Sequence, residues 1–252
     1  MFESPRYIQN SFSVTMERQS EIRRRANDFE DLLKAKIEGH YGQPQVVPVP
    51  DELDPEVPRL IFGSRHGFSQ ILISQISITL SVNYSPEWQH DILKGQEYLL
   101  DRTKAIFSLF ELMNDVPLFF SGLTTRVRIA STEADSAIIA RVKQLYGIGS
   151  QSSNIHDLMF KLTNVYKDRF FNNMTVQNYR VWKLVAQPQG VLRLPLKEVG
   201  ERGVEIINDF NDRYAFNENV DYYSSPDNVK EIIASGFAET KKIILEIMGG
   251  QK

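Results

Sequence analysis

The order of elements expected along this 252-residue chain occurs twice. Each half reads as a strand, a helix, a group of strands and one long helix, first from Phe2 to Asp115 and again from Pro117 to Gly249. A β-α-(β)4-α order used twice restricts the chain to the α+β class. The expected form is curved antiparallel sheet with the long helices packed on one face. The two parts are 1–116 and 117–252, as separate halves or as one continuous pseudo-duplicated domain. Their likeness is one of pattern, without residue-level identity.

The patterns behind this order are local. Ile8, Phe12, Val14 and Met16 alternate with Gln9, Ser11, Ser13 and Thr15, the period of a half-buried strand. Ala26, Phe29, Leu33 and Ile37 recur at three- and four-residue spacing, which predicts an amphipathic helix from Ser20 to about Gly39. Val46 to Val49 lies in a proline-rich connection and suits a short edge strand, because Pro48 cannot donate to a ladder. Leu60–Gly63 and Phe68–Ile73 flank a turn at Ser64-Arg65-His66-Gly67. From Ile76 to Tyr84 apolar and polar residues alternate without exception. Apolar parity changes between Ile73 and Ile76, so a tight turn at Ser74-Gln75 must separate two strands. Ser85 as N-cap and Pro86 in the first turn predict a long helix, about 28 residues or roughly 40 Å.

In the second half Leu123, Thr125, Val127 and Ile129 alternate with Thr124, Arg126 and Arg128. Helices are expected over Glu133–Tyr146 and Ile155–Tyr166. Strands are expected over Met174–Gln177, Tyr179–Ala186, Val191–Leu196 and Gly203–Phe210, with turns at Gln187–Gly190 and Gly200–Gly203. The last helix opens at Ser225-Pro226, buries Val229, Ile232, Ile233, Phe237, Ile243, Ile244 and Met248, and stops at Gly249-Gly250.

Composition narrows the chemistry. The chain has no cysteine, which excludes disulfides, thiolate nucleophiles and cysteine-based metal sites. Residues 1–117 carry 12 basic and 17 acidic side chains, net −5, and the rest carry 17 and 15, net +2. That balance makes nucleic acid an unexpected partner; the second half is where a polyanion would be tested first. Met1–Arg6 lacks the pattern of a secretory signal, and no apolar run approaches the ~18–20 residues that span a bilayer. A cytoplasmic protein without membrane association is expected.

The clusters of polar and charged residues have plain readings. His40, His66, His90 and His156 are far apart in sequence and share no metal-ligand spacing, so surface or capping roles are expected and no metal site. Gly147–Asn154 follows a helix rather than a strand and lacks the third Gly or the Lys of phosphate-binding loops, which suggests a linker capped by Asn154. Asp209, Asn211 and Arg213 would fill the first ligand positions of a calcium loop, but Arg213 stands where an oxygen belongs. Asn208–Asp212 is expected to be a solvated strand end, and Arg23-Arg24-Arg25 a solvated helix face. No catalytic residue and no cofactor is assigned.

One surface stands out. Gln9, Ser11, Ser13 and Thr15, then Ser77, Thr79, Ser81 and Asn83, then Thr124, Arg126 and Arg128 occupy the non-core parity of three strands. If the helices cover one sheet face, these residues line the other. The candidate binding residues are Arg126, Arg128, Thr124, Thr79, Ser81 and Thr15.

The repeated order resembles the saddle of the TATA-box-binding protein and helix-grip domains, in which a curved antiparallel sheet carries helices on its convex side. That saddle uses basic residues and phenylalanine wedges on its concave face; here the matching positions are rich in Ser and Thr. Arg59-Leu-Ile-Phe-Gly-Ser, the Tyr84-Ser-Pro-Glu-Trp88 helix entry, Thr125-Arg-Val-Arg-Ile129 and Val204-Glu-Ile-Ile-Asn-Asp-Phe210 resemble a sporadically distributed family of uncharacterised bacterial proteins, which brings no activity with it. The leading expectation is a binding module that uses the polar sheet face toward a protein partner or in a homo-oligomer. The alternatives are a helix-grip pocket lined by Phe107, Phe110, Tyr98, Trp182 and Phe237, and an enzyme on phosphate-containing substrates near Gly147–Asn154 or Asp209–Asp212.

Overall fold

A computed structural model describes residues 1–37, 40–149, 154–183 and 194–249. The strands are β1 (Arg6–Met16), β2 (Gln45–Val46), β3 (Leu60–Gly63), β4 (Ser69–Ile73), β5 (Ser77–Asn83), β6 (Leu118–Ala130), β7 (Met159–Tyr166), β8 (Phe170–Trp182) and β9 (Val199–Asn211). The helices are α1 (Ala26–Lys36), α2 (Ile92–Leu112), α3 (Asp135–Leu145), α4 (Arg213–Glu218) and α5 (Pro226–Met248). All nine strands form one antiparallel sheet in the order β2-β3-β4-β5-β1-β6-β9-β8-β7. The central neighbours β1 and β6 are the first strands of the two halves, and each half spreads outward from that seam.

Alternation fixes which face is covered. Phe12 and Val14 of β1, Ile78, Leu80 and Val82 of β5, Leu123 and Val127 of β6, and Val204, Ile206 and Phe210 of β9 are fully buried. They form one core with Phe29 and Leu33 of α1, Leu99 and Ile106 of α2, Ile138 of α3, and Ile232, Ile233 and Phe237 of α5. The helices α1, α2, α3 and α5 therefore lie on the same side of the sheet. Two buried side-chain amides in this layer have their N–H groups paired. Asn208 donates to the Gly236 carbonyl and to Thr240 Oγ1 of α5, and Asn10 donates to Thr125 Oγ1 across the seam.

The expected turns at Ser64–Gly67 and Ser74-Gln75 separate β3, β4 and β5, and α5 begins with Ser225 as N-cap and ends on Gly249 in the left-handed region. Several boundaries differ. The first helix opens as a 3-10 turn, Ile22–Arg25, before α1; Glu38 and Gly39 lie outside the described residues. The long helix starts at Ile92 rather than at Ser85-Pro86. The Tyr84 N–H is bonded to the Ile8 carbonyl and the Gln89 carbonyl accepts from Tyr7, so Tyr84–Gln89 is tied along β1. Asp91, accepting from the Lys94 N–H, is the N-cap actually used.

The largest correction concerns Ile155–Tyr166. It is not a helix: Met159–Tyr166 forms β7 and pairs in unbroken register with β8, from Met159 against Gln177 to Tyr166 against Phe170. Lys167 and Asp168 make the hairpin turn with φ of 51° and 50°, a left-handed conformation that Asp adopts more readily than Lys. Met174–Gln177 and Tyr179–Ala186 are not two strands; Phe170–Trp182 is one. Gly200–Gly203 is not a turn but lies inside β9, and after β6 the second half has three described strands where four were expected. Ala186, Gln187–Gly190 and Val191 fall outside the described residues, and Leu196 opens a 3-10 turn instead of closing a strand. Gly203 is required by closeness: a Cβ there would sit 2.0 Å from the Ile129 carbonyl oxygen on β6.

The two sheet edges are unlike. β2 is two residues long and is flanked by Pro44, Pro48 and Pro50. β7 is eight residues long with no proline, and Met159, Leu162 and Val165 are exposed along it. Among the described residues no helix is long and apolar enough to cross a membrane.

Candidate functional site on the open sheet face

The parity opposite the core is half-exposed on the sheet side that α1, α2, α3 and α5 leave uncovered. Thr15, Thr79, Ser81, Thr124, Arg126 and Arg128 all lie there. Strand register sets their spacing. Ser81, Ser11, Thr124, Asp209, Asn173 and Thr163 follow one another across six strands in a single polar row. Arg126 is one pair further along the seam, opposite Gln9, and Arg128 one further again. Thr15 pairs with Phe120, eight residues from Arg128 and roughly 26 Å away along the strand. The structure thus groups Thr124 and Ser81 near the two arginines and leaves Thr79 and Thr15 toward the other end.

At the arginine end sits a residue that sequence reasoning missed. Glu205 of β9 lies directly opposite Arg128 and Gln177 and is 1% exposed, although it belongs to the open face. Arg126 donates from Nε and Nη2 to its two carboxylate oxygens at 2.9 and 3.0 Å, a bidentate fork. Arg128 Nε and Gln177 Nε2 donate to the same carboxylate, each at 2.8 Å. Burial acts to raise the Glu205 pKa, but these hydrogen bonds outweigh it and hold the group below the ordinary glutamate value. The Glu205 hydrogen bond in turn outweighs burial at Arg126 and raises its pKa. Arg126 Nη1 and both Nη atoms of Arg128 have no acceptor among the described residues.

A second cluster adjoins the first. Arg6 Nη2 and the Tyr179 hydroxyl both donate to Glu201 Oε1, at 2.5 and 2.8 Å, and the Arg128 guanidinium lies 4.9 Å from the Tyr179 ring centre. Burial opposes ionisation of Glu201, but the Arg6 and Tyr179 hydrogen bonds win and lower its pKa. Three guanidinium groups, Arg6, Arg126 and Arg128, thus face two carboxylates, Glu201 and Glu205. The signal for Glu205 was present in outline: a charged residue inside Val204–Phe210. Its partners, 79 and 77 residues away, are revealed only by strand register.

The opposite end of the face is closed by α4. The Phe216 ring lies 5.6 Å from those of Phe119 and Phe120, and Tyr214 stands edge-on to Phe171. Asp212 just before α4 is not a solvated strand end. It is fully buried and accepts from the Ser121 N–H at 2.6 Å, Ser224 Oγ at 2.6 Å and the Tyr222 hydroxyl at 2.8 Å. Burial raises its pKa in spite of these bonds. The Arg23–Arg25 run is not simply solvated either: Arg23 pairs with Asp51 at 2.8 Å and Arg25 donates to the Leu112 carbonyl.

The other candidates separate. Phe110 and Phe237 are plain core, Tyr98 of α2 is buried, and Trp182 donates to the Pro195 carbonyl far along β8, so the five aromatics do not converge on one pocket. Residues 150–153 of the Gly147–Asn154 segment lie outside the described residues. His40 and His66, distant in sequence, have rings 6.4 Å apart. No protein-family model matches the chain, and no curated protein matches it.

Proposed function

We propose that the chain is a binding module whose open sheet face holds a carboxylate-bearing protein surface, from a partner or from a second copy, with Arg126 and Arg128 as fixed anchors. The observation that carries this reading is the Glu205 clamp. It immobilises both guanidinium groups before any ligand arrives and leaves outer N–H groups without an acceptor among the described residues. A pre-organised arginine loses little conformational freedom on binding, and its planar fork suits carboxylates. The row of Ser, Thr and Asn beside it supplies neutral donors and acceptors.

Reversing both arginines to glutamate would set three carboxylates together and unfold the site, so the test uses a neutral network. A photoreactive residue at Thr124 is expected to cross-link the partner, and R126Q/R128Q/E205Q should remove that adduct while the fold persists by circular dichroism. Equal adducts from the triple variant would defeat the proposal.

One observation favours a second reading. A groove of about 620 Å³ runs between α2 and α5, with Leu100, Phe107, Val229 and Ala234 among its lining residues. An apolar small molecule would sit there, between the helices rather than between helix and sheet. Native mass spectrometry of freshly purified protein showing no bound mass would remove this reading.

A further inference from the structure

Buried arginines in this protein come in two kinds. Arg59, 0% exposed, donates to the carbonyls of Val57 and Leu53 and lies 3.4 Å from the Asp51 carboxylate. Arg180 reaches Asp135 and Asp157. Arg102 of α2, 7% exposed, has no carboxylate partner among the described residues. Its guanidinium lies 3.7 Å from the Tyr98 ring centre and donates from Nη2 to His40 Nδ1 at 3.2 Å, while its buried Nε has no partner. A desolvated cation whose described neighbours are a ring face and a neutral imidazole is costly unless an anion joins it.

Beside this group a cleft of about 570 Å³ opens between the end of α1 and α2. Lys36, Lys104, His40 and Ser108 line it with Arg102; Asp101 is its one described acid and pairs with Lys104 at 3.2 Å. The described lining carries three cationic side chains, Lys36, Arg102 and Lys104, against Asp101. His40 is held below its usual pKa first by burial and then by Arg102, His66 and Arg65, all of them cationic or potentially so. A neutral His40 is the form that can accept from Arg102.

We infer that this cleft binds a phosphate-bearing small molecule, with Arg102 as the anchoring cation and Lys36 and Lys104 at its mouth. Phosphate suits the planar guanidinium, and the volume exceeds that of a bare ion, which favours an ester over free phosphate. The site is on the helical side of the sheet and is independent of the Glu205 clamp.

The test follows the His40 imidazole by NMR during titration with inorganic phosphate, ribose 5-phosphate and acetate, each to about 10 mM, a range that covers millimolar affinity. Saturable shifts with either phosphate, and a higher His40 pKa in the bound state, are expected; a tighter response to the ester identifies the source. K36A/K104A, both exposed positions, should weaken binding roughly tenfold without unfolding the chain. R126Q/R128Q/E205Q should leave it unchanged, which separates this site from the sheet face. No saturable shift, an equal response to acetate, or undiminished binding by K36A/K104A would each overturn the inference.

Discussion

Glu205 shows how much one side chain can determine on a sheet face. Its carboxylate is desolvated but is met by two guanidinium groups and an amide, so removing its charge strands two cations together. E205Q should lower stability at neutral pH by about 2–4 kcal/mol, read from urea unfolding. The sign of its pH dependence is set by a depressed native pKa. The contribution is fully present above the unfolded glutamate value, about 4.3, and is lost as pH falls through the lower native value. Wild type and E205Q should therefore converge in stability in acid; a gap that stays constant from pH 7 down to about pH 3 would contradict the clamp. Gly203 makes a separate demand. G203A must push β6 and β9 apart and should cost about 3 kcal/mol by the same measurement. Arg126 and Arg128 were legible because parity alone assigns a strand residue to a face. Glu205 was not, because nothing in a single sequence says which residue of β9 stands opposite which of β6.

At the scale of elements, legibility followed burial. β5 has one buried face, so Ile78, Leu80 and Val82 write its period directly, and the Ser225-Pro226 and Gly249 caps frame α5. Leu158, Leu162 and Tyr166 fall four apart, a spacing that suits a helix over Ile155–Tyr166 as well as the strand β7 that forms there. An edge strand half in solvent has weak pressure to alternate, and the Lys167-Asp168 turn lacks the Asn-Gly signal that would have marked a hairpin. Gly200 and Gly203 looked like punctuation; Gly203 is there to let two backbones approach. Hydrogen exchange should show the same gradient. Amides of β1 and β6 are expected to exchange only through global unfolding, and those of β7 at least about a hundredfold faster. Uniform protection across the sheet would mean that β7 is covered in solution.

Over the whole molecule, the seam between β1 and β6 joins the halves through a shared core, with Phe12 against Leu123 in register. Trp88 lies in the first half and Trp182 in the second, and the chain has only these two. The single-tryptophan variants W88F and W182F should report the same urea midpoint to within about 0.5 M; midpoints further apart would show two independent units. The unlike edges have a further consequence. Among the described residues the outer backbone groups of β7 are free to take a strand lent by another chain, while the two-residue, proline-flanked margin at β2 offers almost none. Growth by strand addition is therefore one-sided: two molecules joined margin to margin present blunt ends in both directions. Such a ribbon stops at a pair, and the architecture is guarded against running on into a fibre.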